Sequence, residues 1–144
     1  MANNTIKLAV YGLPPVELEQ TCSVAVDPGM LLTRLTDGTI APHNRVDFFT
    51  SPKLVAVENI FEGKTISDQY AAWEKVWFIG ARPGDVMWMW LAAGEDADIG
   101  SILISNLDGT LAVGAAPHLA SSIVGTSLEN LGVGGLQRIK VEIA

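Results

Sequence analysis

The chain has 144 residues, 9 basic and 16 acidic, for a formal net charge of −7. With 49% apolar and only 17% charged residues it is no disordered polyelectrolyte, and at this length one domain is expected rather than two with marginal cores. The shortage of Lys and Arg, with no basic stripe, argues against a nucleic-acid partner, which needs cations to displace counterions from phosphates.

Fourteen glycines and seven prolines predict many turns and short strands. Cys22 is the single cysteine, so an internal disulfide or a cysteine-based metal cluster is excluded. The start, "MANNTIKLAVYG", lacks the basic segment and long apolar core of a signal peptide. No stretch approaches the ~20 apolar residues of a membrane helix, so no membrane partner is expected.

In chain order, residues 1–20 hold a strand-like "TIKLAVYG", a Pro14-Pro15 break and the acidic Glu17 and Glu19. Two readings stand. In one, this is an N-terminal arm that adds a strand to a partner through Thr5, Ile6, Lys7, Leu8, Val10 and Tyr11; in the other it is an ordinary first strand. Residues 21–144 read as a single β-rich domain. "TDGT" at Thr36–Thr39 is a turn, and "KLVAVEN" places Leu54 and Ala56 on one face of a strand, Val55 and Val57 on the other. "ISDQYAAWEK" (Ile66 to Lys75) is the one helical pattern, with Ser67 as a possible cap. "KVWFIGA" aligns Val76 with Phe78, and Trp77 with Ile79 opposite.

After the "RPGD" turn comes Val86–Leu91, a strand apolar on both faces, with Met87 and Met89 alternating with Trp88 and Trp90. Both faces then need a cover: a second sheet, the Gly114–Gly125 segment, another copy around a threefold axis, or a ligand. "AAGED" and "LDGT" separate the strands Ser101–Ser105 and Thr110–Val113, Gly114–Gly125 reads as a loop and then a strand, and "QRIKVEIA" alternates Ile139, Val141 and Ile143 with polar neighbours. Short strands and turns at this spacing predict an all-β barrel or sandwich.

Candidates for chemistry are sparse. His43 and His118 each sit beside a proline with no second ligand and read as structural or solvent-exposed, and Cys22, with no basic neighbour, reads as a buried, inert thiol. The acidic run Glu95, Asp96, Asp98 lacks calcium-loop spacing, and "GVGG" (Gly132–Gly135) lacks the Lys and helix of a phosphate loop. A lipoyl- or biotinyl-carrier barrel needs a lysine at a hairpin tip; none lies between Lys75 and Lys140. No enzyme and no cofactor are expected. A carbohydrate- or ligand-binding β-domain, with Trp73 or Trp77 stacking on its ligand, is the alternative.

Taken in order, "VAVEN", "GKTISDQYAAWEKV", "ARPGDVMWMWLAAGEDADIGSIL", "NLDGTL" and "RIKVEIA" resemble the capsid decoration, or cement, proteins of tailed bacteriophages. The likeness runs from about Leu54 to the end. Trp73 stands where that family has a small residue, usually glycine, and Ser101 replaces an expected Asp. The resemblance implies a small β-tulip-like body with at most one short helix, often a homotrimer. It implies a non-enzymatic virion protein, made in the host bacterial cytoplasm and seated on the outer surface of the expanded head. Its partner would be the major capsid protein, with Trp73, Trp77, Met87, Trp88, Met89 and Trp90 as the oligomer or capsid interface.

Overall fold

A computed structural model describes residues 5–9, 17–45, 53–114 and 122–144; these form eleven strands and a 3-10 turn at Ile60–Glu62, with no α-helix among them. Strands β1 (Lys7–Ala9), β2 (Glu17–Thr21), β3 (Leu31–Arg34), β4 (Ile40–Pro42), β5 (Lys53–Ala56) and β6 (Lys75–Ala81) precede β7 (Val86–Leu91), β8 (Ile102–Ser105), β9 (Leu111–Val113), β10 (Ile123–Ser127) and β11 (Gln137–Ile143). The all-β expectation is met.

The last five strands close a barrel in the order β7-β11-β10-β8-β9, with β9 returning to β7. An odd number of staves cannot alternate direction all the way round. The mismatch falls on one parallel pair, Leu91 with Leu111. Met87, Met89 and Leu91 point inward, with Met87 opposite Val141 and Met89 opposite Ile139. Leu103, Leu111, Val124 and Ile143 complete the filling. At Gly125 strands β10 and β11 approach so closely that a Cβ would lie 2.3 Å from the Glu142 carbonyl oxygen.

The other edge of β7 is covered by three segments in turn. Trp88 N–H donates to Ile6 O at 2.9 Å beside β1, Trp90 N–H to Gly29 O at 3.4 Å, and Ala92 N–H to Leu111 O at 2.9 Å. Covering an edge in this way removes a site for unwanted strand pairing.

The second sheet runs β2-β6-β5-β3-β4, antiparallel throughout, and its outer strands are joined by a parallel bridge between Cys22 and Ile40. The sheet therefore curls around its own small core, where Leu32, Ile40, Leu54, Ala56, Val76 and Phe78 meet. Its other face supplies Leu31, Val55, Val57, Ile79 and Ala81 to the barrel's core. This is why β5 and β6 are apolar on both sides, and their alternation follows the sequence expectation residue by residue. The β8–β9 hairpin locks the sheets together: Leu31 N–H donates to Gly109 O at 2.9 Å and Gly109 N–H to His43 O at 3.1 Å. Only glycine fits that tip, since φ is 87° and a Cβ would lie 2.8 Å from Pro42 Cβ.

One element is corrected. The helix expected over Ile66–Lys75 does not form; the 3-10 turn lies earlier, at Ile60–Glu62. Tyr70 exchanges backbone hydrogen bonds with Val26 at 3.0 and 2.8 Å, and its hydroxyl donates to Val57 O at 2.7 Å. Asp68, rather than Ser67, makes the local cap, accepting from Thr65 N–H at 2.7 Å. Tertiary pairing of the backbone outweighs a weak helical preference. Of the Gly114–Gly125 segment, residues 115–121 lie outside the described residues, and the strand that follows starts at Ile123.

Candidate binding surfaces

The double-apolar strand β7 resolves into two covers. Met87 and Met89, expected at an interface, are fully buried in the barrel's own core. Trp88 and Trp90 lie outside the barrel and are half-buried. Each indole faces a cation directly across the ladder: Lys140 pairs with Trp88 and Arg138 with Trp90, their charged groups 5.6 and 4.2 Å from the ring centroids. Trp90 Nε1–H also donates to Pro28 O at 3.0 Å. Arg138 Nη2 donates to Pro28 O at 3.2 Å and to Ile66 O, so it ties the barrel to loops of the second sheet. Burial pulls the Arg138 pKa below its ordinary value.

The candidate arm is placed in part. Ile6 is fully buried in the barrel core, and Lys7 and Leu8 belong to β1, which pairs with β7. Thr5 is half-buried just before them, and Val10 and Tyr11 lie outside the described residues. Lys7 forms an ion pair with Glu17 at the start of β2, and Ile6 N–H donates to the buried Glu58 carboxylate at 3.1 Å. Over residues 5–9 the backbone thus serves as a first strand.

His43 is buried; its Nδ1 lies 2.8 Å from Ser105 Oγ, and its main chain bridges β3 and the β8–β9 hairpin. His118 lies outside the described residues. Cys22 is fully buried, its Sγ 3.2 Å from Ala71 O, and burial raises its pKa, which suits an inert thiol. Glu95 accepts from Val113 N–H at 3.0 Å in a turn. Among the described residues no group of three or more His, Cys, Asp or Glu side chains is placed to hold a metal ion, and no helix is long and apolar enough to cross a membrane.

Among the described residues two surfaces bear on binding. At one end of the barrel, the loops around 94–100 and 129–136 are held together by the Ala97–Leu131 bridge, by Gly94 N–H on Gly134 O at 2.9 Å and by Ile99 N–H on Asn130 Oδ1 at 2.8 Å. They leave Ile99, Val133 and Leu136 exposed. "GVGG" belongs to this loop pair. The second surface is a groove of about 390 Å³ beside β6, between the 3-10 turn and residues 70–77. Trp77 forms part of its lining, its ring 4.8 Å from that of Phe61 and tilted by 39°. Lys75 pairs with Glu19 at 3.0 Å on the rim. Burial pushes the Tyr70 hydroxyl up to about 12. Trp73, next to the groove residue Glu74, is 68% exposed with a left-handed φ of 69°. Sequence reasoning found Trp73 and Trp77 through their size; Asn59, Glu62 and Tyr70 carried no signal, since only the fold brings 59–64 against 70–77.

The architecture is that of a closed five-stranded barrel backed by a curled antiparallel sheet. No protein-family model and no curated protein matches the chain. Among solved structures it is similar to the head fiber gp8.5 N base of bacteriophage phi29, with a TM-score of 0.56 and 17% identity. The match covers 90% of this chain and 93% of that one. At that identity the likeness is one of fold.

Proposed function

We propose that this chain is a non-enzymatic structural protein of a tailed-phage head, made in the bacterial cytoplasm and mounted on the outer surface of the expanded capsid. There it stabilises contacts between major capsid subunits, as a homotrimer. The observation that carries this reading is the nearly end-to-end likeness to a phage head fiber base. The ordered motifs from Leu54 onward, which resemble capsid decoration proteins, support it independently.

Apolar surface suited to such contacts includes the barrel end, where Ile99, Val133 and Leu136 are exposed. Burial of three large aliphatic groups contributes roughly 1.5–3 kcal/mol each. Many weak contacts repeated over one shell suffice for firm attachment. Co-sedimentation of purified protein with expanded capsids of its own phage tests the reading. Saturable binding is expected, reduced by Ile99→Asp with Val133→Asp while the fold is retained. No binding to intact shells would refute it.

A further inference from the structure

We propose that the groove beside β6 binds a neutral oligosaccharide, with Trp77 as its stacking platform. This goes beyond attachment to a capsid and does not depend on it.

The platform is pre-set. Trp77 is half-buried, packed against the barrel core and in ring contact with Phe61, so little side-chain freedom is lost on binding. An indole face matches the apolar face of a pyranose ring, whose edge carries hydroxyls. The rim suits those hydroxyls. Glu19, Glu62 and Glu74 stand with Lys64 and Lys75, so acceptors and donors of both signs are present and nearly balance. A strongly charged ligand would meet repulsion from one set; a polyhydroxy one meets partners in both.

Two further residues stand at or beside the groove. Asn59 lines the groove, is only 8% exposed, and its Oδ1 has no hydrogen-bond partner. Trp73 holds a left-handed φ that costs a bulky residue about 1–2 kcal/mol, while its side chain stays in solvent. The turn itself holds that backbone, with Trp73 N–H donating to Cys22 O at 2.8 Å and Cys22 N–H to Glu74 O at 3.0 Å, and it leaves the indole exposed next to the groove residue Glu74. At about 390 Å³ the groove falls within the roughly 300–1,000 Å³ of small-molecule sites.

The test is a titration of the full chain with maltohexaose, cellohexaose and chitohexaose, followed by indole fluorescence and by amide and indole NMR shifts, with polygalacturonate as the charged control. Saturable binding of at least one neutral hexaose tighter than about 1 mM is expected, with the shifts centred on Trp77 and Trp73. Trp77→Leu should weaken it by about tenfold or more. Because Trp77 also packs on the core, Trp73→Gly and Glu62→Gln serve as surface variants. Each should weaken binding severalfold with no fall in the unfolding midpoint. Flat titrations with all three hexaoses up to about 10 mM, binding that survives the substitutions, or binding of the charged polymer alone would each overturn the proposal. Capsid co-sedimentation is a separate assay, so loss of either reading leaves the other standing.

Discussion

Arg138 is the place to pull the two sheets apart. Replacing it by Met keeps the aliphatic stem over Trp90 and removes the charged fork. The loss comprises bonds to Pro28 O and Ile66 O and the ring contact at 4.2 Å. Hydrogen bonds from charged donors contribute about 1.5–3 kcal/mol each, and a partly buried cation–π contact about 0.5–2 kcal/mol. Pro28 O keeps the Trp90 Nε1–H bond at 3.0 Å, so it is not orphaned. Against the loss stands relief: Arg138 Nε is buried without a partner, and the guanidinium is desolvated. The balance is a destabilisation of about 2–3 kcal/mol, or roughly 6–12 °C in Tm for a chain of this size. Urea and thermal melts followed by near-UV circular dichroism measure it. A double-mutant cycle with Trp90→Leu should give a coupling of about 1 kcal/mol. A loss below about 0.5 kcal/mol, or no coupling, would refute the clamp.

Three other outcomes follow from the packing and the carboxyl groups. Gly125→Ala drives a methyl into the Glu142 carbonyl and should cost about 1–3 kcal/mol in urea unfolding, even though alanine is ordinarily the better strand residue. Met89→Ala should lower stability by about 2–5 kcal/mol with a midpoint independent of protein concentration; a concentration-dependent midpoint would return this side chain to an interface. The Asp37 and Asp68 carboxyls are held below the usual range by bonds from Thr39 and Thr65. Asp108 is also lowered: burial pushes it up, and the bonds from Thr110 and Asn106 together outweigh that. Their folded pKa values lie below the unfolded value near 3.9, so their stabilisation is complete above that pH and is lost as pH falls through the folded values. The thermal midpoint should therefore drop steeply below about pH 4, and Asp108→Asn should shallow that drop.

The strands from Lys53 onward were legible because period two and Gly-containing turns coincide there: β5, β6, β7, β8, β9 and β11 stand where the alternation put them. β2 was not, because "ELEQT" carries no alternation and is half-buried along most of its length. The false helix over Ile66–Lys75 shows the limit of local preference, since Val26, more than forty positions earlier, claims the Tyr70 backbone. The apolar faces of β7 announced that a cover was needed without naming it. Half of that cover is the barrel interior; the rest comes from Pro28, Gly29 and Ile66, segments with no sequence mark of such a role. Trp73 was flagged as a departure from a glycine position, and the left-handed backbone found there gives the physical reason a glycine would suit.

Strand β11 is the middle stave between β7 and β10, both of which precede it in the chain. A ribosome delivering the chain from its amino end releases the partners of β11 before it arrives, and both must wait with raw edges on view. Deleting Gln137–Ile143 would thus open the barrel instead of trimming it, and would leave two sticky margins free to recruit neighbouring chains.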